Sequence, residues 1–113
     1  MATLPAREAA AIGKALGDPM RLGIYRQIAD RNEVFCSELA ACDTLSAATV
    51  SHHLRVLSRA GLISSRRRGQ FIFYQAIPDR LAAYCSYLQE RSDACSENVV
   101  NGHASSSKAL SNI

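Results

Sequence analysis

The chain has 113 residues, of which 48% are hydrophobic, and both values are typical of one small globular domain. Its formal net charge of +3 at pH 7 is too small to identify a partner. It has no run of 18 or more apolar residues, which excludes a transmembrane helix, and its N-terminal sequence does not resemble a signal peptide. We therefore expect a cytoplasmic protein without a membrane partner, whose four cysteines are reduced thiols.

The first half of the chain has the patterns of four helices. An Ala-rich helix is predicted within residues 5–18, and Asp18 followed by Pro19 is a typical start for a second helix. A short third helix is expected over residues 37–42. A fourth is expected over residues 46–60, because a serine stands at its start and a glycine follows its end.

The second half changes to the alternating pattern of a β-hairpin. One strand begins at Ile63 and the other covers residues 71–76, which are rich in β-branched and aromatic side chains. The sequence RRRGQ between them supplies the glycine of the tip. A fifth helix begins at Pro78. We assign residues 1–91 to the folded domain and residues 92–113, which are Ser- and Asn-rich, to a polar, mobile tail.

The order of these elements indicates the fold class. Four helices, a two-stranded hairpin and a last helix predict a mainly α structure with a β-hairpin wing, the winged helix-turn-helix. The third and fourth helices are joined by a short turn, as a helix-turn-helix requires.

The fourth helix has one face suited to contact with DNA. Residues 45–75 contain five arginines and none of the ten acidic residues of the chain. Val50, Leu54 and Leu57 fall on one side of the helix and predict its core face. The opposite side carries Ala48, His52, Arg55 and Arg59, flanked by Thr49 and Ser51. Short polar and basic groups without a carboxylate suit a helix that enters a major groove.

The hairpin adds a second basic element. Its sequence places Arg66, Arg67, Arg68 and Gln70 at the tip, where they can follow the phosphate backbone or enter the minor groove. A solvated charged surface is the alternative for each element taken alone. Two basic elements that follow one another in the chain favour a polyanionic partner instead.

The sequence resembles the ArsR/SmtB family of bacterial winged-helix repressors. The resemblance covers roughly residues 8–90 and rests on "GDPMRLGIYRQIAD", on "ATVSHHLRVLSRAGLISSRRRGQFIFYQ" and on the Pro-Asp helix that follows. It implies a homodimer formed by the first and last helices. It also implies an inverted-repeat operator in double-stranded DNA, with half-sites about one helical turn apart. Residues 1–91 would then be the DNA-binding and dimerisation domain, and an inducer would relieve repression.

The resemblance also implies which side chains contact DNA. Ala47, Ala48, Ser51 and His52 would contact bases, whereas Thr49, His53 and Arg55 would lie nearby or on phosphates. The sequence departs from the family at Ala47 and Ala48, where many members have glutamine, proline or serine. Alanine can touch a thymine methyl group but cannot form a hydrogen bond with a base edge. Both a core position and a DNA contact remain open for His53.

Two inducer sites of the family, that of the classical arsenic sensors and that of the zinc sensors, are missing from this sequence. Arsenic sensors carry C-x-C-D-L at the third helix, where this chain has Phe35 and Ser37 on either side of Cys36. Zinc sensors use Asp and His on the last helix, where only Asp79 matches.

The cysteines are the remaining candidates for an inducer site. Other members of the family bind trivalent arsenic through cysteines near the end of the last helix. Cys85 and Cys95 resemble that arrangement, which implies that they bind arsenic(III) or antimony(III), with Cys36 or Cys42 as a possible third ligand. Neither pair can chelate one ion on a single straight helix, because six residues rise about 9 Å and ten rise about 15 Å. A redox or reactive-sulfur sensor, a ligand-independent regulator and purely structural cysteines are the alternatives.

An enzyme is not indicated. The sequence lacks a nucleophile elbow, a glycine-rich phosphate loop, a metal-hydrolase motif and a pair of catalytic acids.

Overall fold

The computed structural model describes residues 3–101, and their side chains as far as residue 96. It confirms the predicted class, mainly α with a β-hairpin wing. Four α-helices, three strands and two short 3₁₀ helices follow one another in this order: α1 Ala6–Leu16, α2 Pro19–Asp30, β1 Val34–Phe35, 3₁₀ helices Cys36–Glu38 and Ala40–Asp43, α3 Ala47–Arg59, β2 Ile63–Arg68, β3 Phe71–Ala76 and α4 Pro78–Asn101. None of the helices within residues 3–101 has the length and apolar character needed to cross a bilayer.

The first two helices form as predicted. Ala9, Ile12 and Ala15 on α1 are buried. The Asp18 side chain caps α2 by accepting a hydrogen bond of 2.9 Å from the backbone N–H of Arg21, and Pro19 occupies the first helical position. This backbone hydrogen bond is the main reason why the pKa of Asp18 lies below its usual value.

The third predicted helix is not one continuous helix. Two 3₁₀ helices preceded by strand β1 take its place, and Leu39 between the 3₁₀ helices has extended backbone angles of φ −76° and ψ 133°. The Glu38 carboxylate accepts a hydrogen bond of 2.9 Å from the backbone N–H of Phe35, which holds the first 3₁₀ helix. Local propensity could not reveal β1, because its partner β3 lies almost forty residues later in the chain.

The three strands form one antiparallel sheet in the order β1-β3-β2. In the hairpin, Ile63 pairs with Ala76 and Arg68 pairs with Phe71. The turn is made by Gly69 and Gln70, and Gly69 has a φ of +63°, a region that glycine adopts without strain. The three arginines predicted at the tip therefore lie within β2 itself.

The last helix is longer than predicted. It covers 24 residues, so the expected boundary between residues 91 and 92 falls inside a continuous helix. The polar side chains after residue 91 are exposed as far as the structure describes them, and helix formation does not require their burial. The part of the predicted tail from residue 102 to 113 lies outside the described residues.

The hydrophobic core lies where α1, α2 and α3 meet the start of β2. The side chains that are essentially inaccessible to solvent are Ile12, Ile24, Ile28, Val34, Leu39, Val50, Leu57, Leu62 and Ile63. Because α3 contributes Val50, Leu54 and Leu57 to this core, its other side faces solvent.

Candidate nucleic-acid interface

Helix α3 presents the polar face that the sequence predicted. The Ser46 hydroxyl caps the helix by accepting a hydrogen bond of 3.2 Å from the backbone N–H of Thr49. Most of the DNA contacts predicted on this helix have exposed side chains, namely Ala47, Ala48, Thr49, Ser51, His52 and Arg55. Arg59 is exposed at the last turn. The assignment of these residues to DNA stays a prediction, since the geometry shows only that they are accessible together.

His53 differs from these residues because its side chain is only partly exposed. Its Nδ1 lies 3.3 Å from Nη1 of Arg21 in a partly buried contact. Arg21 also donates hydrogen bonds from Nε to the carbonyl oxygen of Ala15 at 2.6 Å and from Nη2 to that of Lys14 at 3.3 Å. Nδ1 can accept from Arg21 only while it carries no proton. The contact therefore connects α3 to the junction of α1 and α2, and it gives His53 a structural position.

The wing arginines are divided between the two faces of β2. Arg66 and Arg68 lie on one face and form ion pairs with Glu33, at 2.9 Å and 3.0 Å respectively. The Arg68 guanidinium also lies 5.0 Å from the ring centre of Phe73. Arg67 points to the opposite face, and in the described part of the chain no carboxylate lies within ion-pair distance of it.

Glu33 was missed because no local pattern identifies it. Residues 45–75 lack acids, but Glu33 enters this region from the position next to β1. It is separated from Arg66 and Arg68 by 33 and 35 residues in the chain. All three wing arginines are exposed, but Glu33 partly neutralises Arg66 and Arg68.

Arg80 is a second residue that the sequence did not identify. Its Nε donates a hydrogen bond of 3.0 Å to the carbonyl oxygen of Ala60 at the end of α3. Its Nη1 lies 2.7 Å from a carboxylate oxygen of Glu8 on α1. Arg80 therefore connects the start of α4 with both α1 and the end of α3. At Gly61, whose φ is +79°, an added Cβ would lie 2.8 Å from Nε of Arg80.

The four cysteines fall into two groups. Cys36 and Cys42 are half-buried and their Sγ atoms lie 3.9 Å apart. Cys85 and Cys95 are exposed on the single continuous helix α4, where ten residues correspond to a rise of about 15 Å.

This arrangement corrects two expectations about the thiols. The separation predicted for Cys36 and Cys42 assumed one straight helix, and the extended residue Leu39 removes that assumption. Conversely, α4 does not turn back at Ser92, so Cys85 and Cys95 of one chain do not meet. Within residues 3–101, the structure has no group of three or more His, Cys, Asp or Glu side chains that could hold a metal ion.

Comparisons with known proteins agree with this architecture. The family described as a helix-turn-helix domain matches residues 16–66. An uncharacterized HTH-type transcriptional regulator of Methanocaldococcus jannaschii is 32% identical over 83 residues, which are 74% of this chain and 93% of that protein. An arsenic resistance transcriptional regulator of Pseudomonas putida is 35% identical over 66 residues, 58% of this chain and 52% of that protein.

Solved structures show the same fold. An ArsR-like transcriptional regulator from Rhodococcus sp. RHA1 superposes with a TM-score of 0.74 at 24% identity, over 84% of this chain and 89% of that one. The homodimeric winged helix-turn-helix DNA-binding domain of a possible ArsR-family regulator from Mycobacterium bovis superposes with a TM-score of 0.59 at 27% identity, over 82% and 91%. The exposed acid-free face of α3, the wing and these relatives identify the chain as a member of the ArsR/SmtB family of DNA-binding winged helix-turn-helix transcriptional regulators, and not as an enzyme.

Proposed function

We propose that the protein is a homodimeric repressor that acts in the cytoplasm and leaves its operator when an inducer binds to its thiols. The observation that carries this proposal is the exposed face of α3, which offers hydroxyl, imidazole and guanidinium groups without a carboxylate. DNA-binding residues need this composition because every phosphate carries a negative charge. Residues 1–91 would supply both the DNA-binding surface and most of the dimer contact.

Base recognition would rest mainly on Ser51 and His52. Both side chains are exposed on α3 and can form hydrogen bonds with base edges in a major groove. The methyl groups of Ala47 and Ala48 would contact thymine methyl groups. Thr49 has a hydrogen bond of 2.9 Å between its hydroxyl and that of Ser46, which makes it a weaker candidate. Arg55, Arg67 and Gln70 would contact phosphates or the minor groove.

A second copy would cover α4 and the start of the chain. An open groove separates the N-terminal residues Thr3 and Leu4 from Ala83 and Tyr87 of α4. Leu88 on the same helix is 47% exposed. A dimer would bury this apolar surface, and an inverted-repeat operator would match its two-fold symmetry.

For the inducer we favour a thiolate-binding metalloid, arsenic(III) or antimony(III). Soft ions of this kind prefer sulfur ligands, and the relative from Pseudomonas putida is an arsenic resistance regulator. A site that includes Cys85 and Cys95 would have to combine thiols of two subunits, because each subunit holds its two thiols too far apart on α4. The thiols of Cys36 and Cys42 are already adjacent within one chain.

Fluorescence anisotropy of labelled promoter DNA tests the proposed function. The reduced protein is titrated onto DNA from its own promoter without oxygen, and arsenite is then added. Tight binding followed by release near one equivalent of arsenite per subunit is the expected result. Binding that is no stronger to the promoter than to unrelated DNA would contradict the repressor, whereas promoter binding that arsenite leaves unchanged would contradict only the inducer.

Replacement of Arg67 by alanine should weaken binding to every duplex. Its guanidinium has no acidic partner among the described residues, so it is available for a phosphate. The slope of log K against log salt should become shallower by about one unit. Arg66→Ala is the matched control on the opposite face of the strand, where the guanidinium of Arg66 already forms an ion pair with Glu33. A larger loss for Arg66→Ala than for Arg67→Ala would contradict this division of the wing.

Replacement of Glu33 by glutamine should have the opposite effect and strengthen DNA binding. The change would release Arg66 and Arg68, both more than half exposed, to interact with phosphates. Exposed ion pairs contribute only about 0–1 kcal/mol each, so the fold should remain stable. Asp30→Asn at the end of α2 changes the net charge equally and serves as the control in the same anisotropy assay. Equal strengthening by both variants would show that net charge alone is responsible.

A further inference from the structure

The end of the wing combines a basic strand with an apolar strand. Each of the three arginines of β2 lies directly opposite an apolar residue of β3, in the pairs Arg68–Phe71, Arg67–Ile72 and Arg66–Phe73. Directly opposite residues of an antiparallel pair have their side chains on the same face of the sheet. Both faces of this hairpin end therefore carry basic side chains on one strand and apolar side chains on the other.

Phe71 and Ile72 are exposed at this end of the wing. Phe71 is 48% exposed, and Ile72 on the opposite face is 38% exposed. They come directly after Gly69 and Gln70, which make the turn. The three phenylalanines of the chain all lie on this sheet, outside the buried core. Burial of large apolar side chains normally stabilises a domain, so the fold of the single chain does not account for the exposure of Phe71 and Ile72.

The Phe71 ring is supported from behind and is open toward the end of the hairpin. Its ring centre lies 5.5 Å from that of Phe35, which in turn lies 5.4 Å from that of Phe73. Strand β1 pairs with β3 as far as Phe73, so Phe71 extends beyond it. The guanidinium of Arg68, opposite Phe71, is held by its ion pair with Glu33 at 3.0 Å. These contacts fix the position of the Phe71 ring and leave its outer side free.

The minor groove of DNA has chemistry that matches this hairpin end. Phosphates line its rims, and the deoxyribose rings of its walls are largely apolar. The groove is about 6 Å wide in B-form DNA, whereas two paired strands are already about 4.8 Å apart without their side chains. The groove therefore admits side chains at the end of the hairpin but not the whole hairpin. An apolar side chain that enters it partly separates two stacked base pairs and bends the duplex.

We propose that Phe71 and Ile72 form an apolar wedge that enters the minor groove and bends the operator. This inference rests on the proposed function and adds to it two contact residues, the groove that they enter and a deformation of the DNA. Arg67, directly opposite Ile72, would hold a phosphate on the rim while the apolar side chains occupy the groove. In a homodimer, the two wings would place one wedge at each end of the inverted repeat.

The charges around the wedge favour DNA over a protein partner. Residues 45–75, which include α3 and the whole wing, contain no acidic residue. Glu33 is the acid that reaches the wing, and both of its carboxylate oxygens are engaged by Arg66 and Arg68. Only three residues separate the end of α3 from the start of β2. The wedge therefore continues the acid-free surface of α3 that carries the proposed contact with the major groove.

The test measures the bend of a promoter duplex by energy transfer between dyes at its two ends, with the full-length protein at saturation. The wild type should bend the duplex by about 20–90°. Phe71→Ala should reduce the bend and lower affinity about five- to ten-fold, and Phe71→Ala/Ile72→Ala should leave the bound duplex straight. Phe71→Leu should keep most of the bend, because leucine also acts as a wedge. Leu22→Ala, at a 40% exposed position of α2, is the matched control and should change neither quantity.

The salt dependence of binding distinguishes the wedge from the wing arginines. An apolar contact releases no counterions, so Phe71→Ala should keep the wild-type slope of log K against log salt. Arg67→Ala should instead make that slope shallower by about one unit. Circular dichroism checks that the variants fold. A shallower slope for both Phe71→Ala and Phe71→Leu would show that these changes act by displacing the arginines, and it would overturn the wedge.

The outcomes separate this inference from the proposed function. If the wild type prefers its promoter but leaves the duplex straight, the wedge is overturned and the repressor stands. The same holds if Phe71→Ala/Ile72→Ala binds and bends the duplex as the wild type does. If the wild type does not prefer its promoter, the repressor fails. A bend that the double replacement removes would then still support the wedge, and a straight duplex would overturn it.

Discussion

Replacement of Ser51 by glutamate is expected to lower affinity for the operator at least ten-fold at physiological salt. Ser51 is exposed on α3, on the side of the helix that leads into the proposed major-groove contact. A carboxylate there would meet the negative potential of the duplex, and the hydroxyl donor of Ser51 would be lost. The folded state should be unaffected, because an exposed position near the start of a helix tolerates an acid. Fluorescence anisotropy at several salt concentrations measures the change.

Ser58→Glu provides the matched control on the same helix. Ser58 is also exposed and lies seven residues, or two turns, nearer to the C-terminal end of α3, on nearly the same side. The net charge changes equally, but the carboxylate would lie about 10 Å farther along the axis. Its effect should be several-fold smaller than that of Ser51→Glu. Equal losses would mean that overall charge, and not entry of the start of α3 into the groove, controls affinity.

Replacement of Leu57 by alanine is expected to cost about 2–5 kcal/mol of the free energy of unfolding. Leu57 is completely buried near the C-terminal end of α3, in the core formed with α1, α2 and the start of β2. The surrounding side chains can fill only part of the cavity that the change leaves. Small domains are stable by only about 5–15 kcal/mol, so this variant would lose a large share of its stability.

Urea unfolding measures this loss, with Leu22→Ala as control. Leu22 lies on α2 and is 40% exposed, so its truncation should cost less than about 1 kcal/mol. Both variants must be compared at one protein concentration, because the proposed dimer would make apparent stability concentration-dependent. Similar midpoints for the two variants would contradict the packing of α3 against the core described above.

The sequence was sufficient to predict elements whose signals are local. The proline and aspartate at the start of α2, the serine that caps α3 and the glycine of the hairpin turn each act within a few residues. The periodic apolar residues Val50, Leu54 and Leu57 identified the core side of α3, and thus its exposed side. The wing followed from the alternating pattern of its strands, although the three arginines lie within β2 and not at the tip.

Features that depend on contacts between distant parts of the chain could not be predicted. Strand β1 is only two residues long and is held by β3, so neither length nor propensity identified it. The same chain path places Glu33 against the wing arginines, and it replaces the expected third helix by two 3₁₀ helices. For the same reason the adjacency of Cys36 and Cys42 was missed, since it depends on the extended backbone at Leu39.

The most direct test of the DNA-binding surface is a nitrogen–proton NMR titration of the labelled protein with its operator duplex. We expect the largest changes in chemical shift at residues 46–55 of α3 and its cap, and at residues 67–70 of the wing, with small changes along the exposed side of α4. Changes concentrated on α1 and α4, with α3 and the wing unaffected, would contradict the assignment of the acid-free face to DNA.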